Sequence, residues 1–106
     1  MHGYPPTNRL LRFILFGQQE MRVAEAAHSL AHYLKQLLPP SAEMCGPAVA
    51  PLTRIKDRWR WHIILKGPVL DVLRQAALEG LRRYRQKERP LPDVIVQIDV
   101  EPFAML

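Results

Sequence analysis

A single cysteine, Cys45, stands in the whole sequence, which excludes an internal disulfide and any thiolate zinc cage built by this chain alone. One lone thiol fits a reducing compartment. Glycine is scarce, with five residues in 106. None falls into GxxxxGK[ST], GxGxxG or GxSxG, so no loop of these kinds cradles a nucleotide phosphate or presents a nucleophile. Long apolar runs are missing too. Phe13 to Phe16 is among the longest, against the roughly 20 residues that a membrane-spanning helix needs. The opening Met1-His2-Gly3-Tyr4-Pro5-Pro6 lacks the charged-then-apolar order of a signal peptide. No segment repeats another. The expectation is one soluble, cytoplasmic domain with a single core.

What the chain does have is proline, basic charge and clear periodicity. Ten prolines punctuate it. Residues 1–8 read as an extended, Pro-rich lead-in, because Pro5-Pro6 excludes helix, and residues 9–106 read as the domain. Arg9 to Gly17 is apolar on both alternations and predicts a central strand. From Gln19 to Leu38 the period is helical, with Val23, Ala27, Leu30, Leu34 and Leu37 on one stripe and Pro39-Pro40 as the stop. Met44 to Arg54, interrupted by Pro47 and Pro51, has the pattern of an edge strand. Arg58 to Lys66 is a strong strand after a turn at Ile55-Lys56-Asp57. Val69 to Gln86 predicts a second helix with Val69, Val72, Leu73, Ala76, Ala77 and Tyr84 toward the core. A polar connection from Lys87 to Pro92 leads to the last strand, Asp93 to Glu101. The order β-α-β-β-α-β predicts an α+β, ferredoxin-like fold: a four-stranded antiparallel sheet with two helices on one face. The first and third strands should be central, and they are the most apolar.

Few residues invite chemistry. His28 and His32 lie four apart on the first helix, a spacing that can chelate a metal, but no third ligand accompanies them, and histidines without a metal are the expectation. Asp99 and Glu101 alternate on one strand and point the same way. A like-charged pair on one face needs compensation, so ion pairs are expected there, with Arg12 on the first strand as a partner, rather than metal binding or acid–base catalysis. Cys45 has no base beside it.

The informative stretch is Arg54 to Lys66. Period-two alternation puts Arg58, Arg60, His62 and Lys66 on one face and Trp59, Trp61, Ile63 and Leu65 on the other. Five of the fifteen Lys and Arg residues fall within thirteen positions here: Arg54, Lys56, Arg58, Arg60 and Lys66. With a net charge of +5, a basic ladder beside two indoles has the composition of a phosphate-tracking surface with stacking partners. A solvated sheet face over packed tryptophans is the competing reading. Trp61 is expected in the core. Trp59, nearer the turn, is the better candidate for exposure.

Five short motifs then occur in order: Gly3-Tyr4-Pro5-Pro6, Pro47-Ala48-Val49-Ala50-Pro51-Leu52, Arg58-Trp59-Arg60-Trp61, Leu65-Lys66-Gly67-Pro68 and Asp99-Val100-Glu101-Pro102. Together they resemble the C-terminal domain of the primosomal replication-restart helicases, the primosomal protein N′ family, over nearly the whole chain. Departures are Asp57 for the usual glycine, Trp59 for Tyr or His, Glu101 for the second Asp, and Val69-Leu70 where many members carry Ser-Arg. The last change removes a cation that, in the family, helps hold the acidic tail of the single-stranded-DNA-binding protein.

The resemblance implies a non-catalytic module that helps an ATP-driven 3′-to-5′ helicase bind single-stranded or branched fork DNA and partner proteins. The implied partners are the helicase domains, single-stranded-DNA-binding protein and primosome proteins, in a bacterial, nucleoid-associated setting. ATP, magnesium and zinc are expected only in the rest of such a parent, with no cofactor in this chain. DNA-contact residues are expected at Arg54, Lys56, Arg58, Trp59, Arg60, His62 and Lys66. The alternatives are a protein-docking scaffold without DNA contact, a free-standing basic nucleic-acid-binding protein, and a small ferredoxin-like enzyme such as an acylphosphatase. That enzyme needs a cation in the first strand-to-helix loop, which Gly17-Gln18-Gln19 does not offer.

Overall fold

The computed structural model describes residues 8–88 and 92–101, with the backbone alone at 52–55. Strand β1 is Arg9–Gly17, helix α1 Glu20–Leu37, β2 Glu43–Ile55, β3 Arg58–Gly67, α2 Leu70–Lys87 and β4 Ile95–Val100. The expected β-α-β-β-α-β order is present, with boundaries displaced by at most two residues. Except for Asn8, the Pro-rich lead-in lies outside the described residues, as do residues 89–91 of the polar connection and Pro102.

The strands form one sheet in the order β2-β3-β1-β4, and β1 runs antiparallel to both β3 and β4. The two most apolar strands are therefore central, because only the inner positions bury both sides of a strand. Strand β2 lies at an edge, where Pro47 and Pro51 cost no ladder bond. Its register with β3 shifts between Cys45 and Ala48 and again between Val49 and Arg54, as bulged proline-bearing strands do.

Both helices pack on one face of the sheet. Leu11, Phe13 and Leu15 from β1 and Ile63 and Leu65 from β3 meet Val23, Ala27, Leu30 and Leu34 of α1 and Leu73, Ala77, Leu81 and Tyr84 of α2. Each fully buried Leu or Phe contributes about 1.5 to 3 kcal/mol by leaving water. Helix α1 buries Val23, Ala27, Leu30 and Leu34 of the expected stripe, with Leu37 in its last turn only half-buried, and ends before Pro39-Pro40, the Leu38 N–H donating to the Leu34 carbonyl at 3.2 Å. Helix α2 differs from the sequence expectation. Val69 and Val72 are exposed, and Gly80 and Leu81 are buried instead. The stripe Leu73, Ala77, Gly80, Tyr84 follows the 3.6-residue period, and Val72 stands about 100° off it. No described helix is long and apolar enough to cross a membrane.

At Gly80 the two helices approach closely. A Cβ there would meet Leu34 Cδ2 at 2.6 Å and Leu34 Cγ at 3.3 Å. Leu34 is fully buried, so its side chain can shift only against its core neighbours. Alanine would gain about 1 kcal/mol of helix propensity but force overpacking that typically costs about 1 to 3 kcal/mol. Gly80→Ala should therefore lose about 1 kcal/mol net, read as a lower urea midpoint at unchanged m-value. A variant as stable as the parent would mean that the helices separate freely at this contact.

Candidate nucleic-acid interface

The sheet face opposite the helices is built by the other alternation of β1 and β3. Across β1 and β3, Phe16 is in register with Arg60, Ile14 with His62, Arg12 with Ile64 and Leu10 with Lys66. On the other side of β1, Phe16 pairs with Ile95, Ile14 with Gln97 and Arg12 with Asp99. Side chains directly opposite on one face lie about 4.5 to 5.5 Å apart at Cβ, so these residues form one continuous surface. A depression of about 370 Å³ opens on it, lined by Ile14, Phe16, Lys56, Arg58, Arg60 and Gln97. The Arg58 guanidinium carbon stands 5.5 Å from the Phe16 ring centroid, within cation–π range.

The structure brings together only part of the predicted site. Lys56, Arg58 and Arg60 gather at the depression, and His62 follows on the same face. Lys66 shares that face but sits eight residues farther along β3 than Arg58, about 26 Å away, with Glu43 as its cross-strand partner. Trp59 is on the helix side, half-buried against the core cluster with Trp61. It does not share a face with the cations. The backbone of Arg54 pairs with Trp59, and its side chain lies outside the described residues. Phe16, Ile14 and Gln97 were not singled out from the sequence. The alternation of β1 could have flagged Phe16, but only the sheet register sets it beside Arg60.

Acidic residues divide the arginines into two groups. Arg12 Nη2 donates to Asp99 Oδ2 at 3.2 Å, and Gln97 Nε2 donates to Asp99 Oδ1 at 3.0 Å. Arg9 grips Glu101 through Nε at 2.6 Å and Nη2 at 2.7 Å. The expected compensation of the two carboxylates is thus present, with Arg12 on Asp99 and Arg9 on Glu101. Arg22 holds Asp93 in the same bidentate way, at 2.9 and 2.7 Å. These hydrogen bonds pull the carboxyls of Glu101 and Asp93 below their ordinary range. Among the described residues, no ion pair engages Lys56, Arg58 or Arg60. Their charge is left facing the depression.

Elsewhere, His28 meets the edge of Trp61 at 5.7 Å between centroids, and the His32 Nε2 atom lies 3.1 Å from the Gln36 amide nitrogen. No cluster of three or more metal-ligating side chains occurs among the described residues.

A family model described as the primosomal protein N C-terminal domain matches residues 1–103. The chain belongs to that family. A replication restart protein PriA from Synechocystis is 32% identical over 106 residues, covering 99% of this chain and 12% of the relative. The PriA of Bacillus subtilis is 28% identical over 98% of this chain and 13% of its own length. That of Treponema pallidum is 28% identical over 97% and 15%. The chain thus spans only about an eighth of the relatives it matches. Among solved structures, a de novo designed protein superposes with a TM-score of 0.62 at 10% identity, covering 90% of this chain and 97% of the design. A second design, described as having a ferredoxin fold, gives 0.54 at 12% identity over 90% and 85%. At such identities these two establish the fold alone, which is the ferredoxin-like one expected.

Two predictions follow from the face itself. The turn residues Lys56 and Asp57 both have positive φ, 51° and 63°, the two-residue geometry that favours glycine. Asp57→Gly should stabilise the chain by about 1 kcal/mol, because a non-glycine residue in this region costs about 1 to 2 kcal/mol, partly offset by the greater entropy that glycine loses on folding. Thermal or urea unfolding reads this directly, and an unchanged or lower midpoint would contradict it. The His62 ring, in turn, is held below its ordinary 6.5, first by burial and then by the charges of Arg12 and Arg60. Its Nδ1 atom is buried with no hydrogen-bond partner among the described residues. The unfolded chain therefore takes up this proton before the folded one. The contribution of His62 is fully present above about pH 6.5 and is lost as pH falls through the lower folded value. Stability should drop as pH falls below about 6.5, and less so in His62→Gln. Identical pH profiles would show that the ring titrates freely.

Proposed function

We propose that this chain is a non-catalytic DNA-binding domain of a replication-restart helicase, holding single-stranded or branched fork DNA by its phosphates. One observation carries the reading. Lys56, Arg58 and Arg60 line one depression, while Arg9 and Arg12 on the same sheet are neutralised by Glu101 and Asp99. Cations left without carboxylate partners on a sheet face suit a polyanion, because each phosphate neutralised releases condensed counterions. Family membership and the relatives' printed names, replication restart proteins, support that setting.

In this reading the parent protein supplies ATP-driven 3′-to-5′ unwinding, with its ATP, magnesium and zinc held outside these 106 residues. This domain adds phosphate contacts and a surface for the helicase domains, single-stranded-DNA-binding protein and other primosome proteins. Because such a helicase shares its grip among several domains, binding by this one alone is weak and gains through linkage. The cellular site is the cytoplasm, at the nucleoid.

Three engaged cations set the expected salt response. At roughly 0.7 per phosphate contact on single strands, the log–log slope of binding against salt should be about −2. Replacing Arg58 and Arg60 together by alanine should flatten it by about 1 to 1.5 units and weaken binding alike for every sequence. Titrating labelled single-stranded and fork DNA at several salt concentrations measures both. A double variant that stays folded by circular dichroism and keeps the wild-type slope would mean that this face docks protein instead.

A further inference from the structure

We infer that the depression between β1, β3 and β4 is a pocket for one unstacked nucleobase of a single strand, with Phe16 as its stacking platform. The inference rests on the phosphate-binding reading above and names what lies between the phosphates. The floor of the depression is apolar, made by Ile14 and Phe16, and its rim is sided. Lys56, Arg58 and Arg60 stand along the β3 side, and Gln97 stands across β1 on β4. Charge on one side, a neutral amide on the other and an aromatic ring between them match the parts of a nucleotide: phosphate, base edge and base face.

The electronic character of the ring fits this use. Arg58 lies over the Phe16 face at 5.5 Å, so that face already takes a planar, electron-poor group. A base entering the depression takes the ring face while the Arg58 side chain swings toward the flanking phosphate. Gln97 gives its amide nitrogen to Asp99, which leaves its carbonyl oxygen to accept from a base amino or imino group. Stacking of this kind is sequence-tolerant, because every base has a π-face. An aromatic on a central strand of a four-stranded sheet is also how a common class of single-strand readers takes bases. Paired bases offer no free face at this depth, so the pocket selects single strands. The two tryptophans do not compete for the role, since both pack on the helix side.

The test compares two strands of equal length, oligo(dT) and a fully abasic strand with the same number of phosphates, each titrated against the chain by fluorescence anisotropy. Oligo(dT) should bind about tenfold more tightly, as expected for one stacked base. In Phe16→Leu, checked for folding by circular dichroism, that ratio should fall to about twofold or less. As a readout independent of any variant, 2-aminopurine within a strand should lose fluorescence on binding. Equal affinity for the two strands at an unchanged salt slope would overturn the base pocket and leave the phosphate reading standing. Failure of both strands to bind would overturn the phosphate reading, and the pocket with it. Unquenched 2-aminopurine in a strand that does bind would count against stacking. Free thymidine monophosphate binding as tightly as the strand would overturn a DNA strand as the occupant.

Discussion

The antiparallel pairing of β1 with β3 sets Phe13 opposite Ile63 and Phe16 opposite Arg60, and both faces of the sheet depend on that single register. The period of a strand is two, so a slip of β3 by one residue would carry Ile63 and Leu65 to the solvent side and bring Arg60 under the helices. Burial of Leu11, Phe13, Leu15, Ile63 and Leu65 forbids that slip. The same constraint delivers Arg58, Arg60 and His62 to the opposite face. The site is, in this sense, the other side of the core. Its geometry is stabilised by apolar contacts that no ligand touches.

Charge arrangement does the rest. Arg9 with Glu101, Arg12 with Asp99 and Arg22 with Asp93 clamp the ends of β4 onto the chain that precedes it. On α2, Glu79 holds Arg82 and Arg83 together, and their hydrogen bonds bring its carboxyl to about 2. Exposed pairs of this kind stabilise a fold by at most about 1 kcal/mol each. Their larger consequence is distribution. They neutralise Arg9, Arg12 and Arg22 around β4, whereas Lys56, Arg58 and Arg60 beside the β2–β3 turn keep their charge.

How much of this was legible in the sequence follows from which information is local. Alternation within Arg58–Lys66 separates cations from tryptophans correctly, because the period is intrinsic to the strand. Pro47 and Pro51 place β2 at an edge for a reason equally local, since proline lacks the donor. Arg12 could be named as a partner of Asp99 because strand order and alternation together leave few choices. The helix stripe failed at Val72, where a β-branched apolar residue one position off the period looked like core. Gly80 was invisible, because its meaning is the approach of Leu34 from another helix. The depression was missed for a similar reason. Phe16, Arg60 and Gln97 lie on three strands far apart in sequence, and only the register places them together.

The turn joining β2 to β3 shows how fold and site constrain one another. Two successive residues with positive φ reverse the chain with the right twist for the flanking strands, and Lys56 and Asp57 adopt it without glycine at either position. The backbone is held there by the paired strands on both sides, Ile55 with Arg58 and Arg54 with Trp59. Such strain persists only where surrounding structure over-determines it. Here its effect is to carry Lys56 to the rim of the depression beside Arg58. A wider loop would let the lysine wander and would spend its charge in solvent. A tight turn of non-glycine residues limits the conformations of the tip, so less entropy would be lost on holding an anion there. The cost of the turn and the rigidity of the cation cluster therefore have one origin.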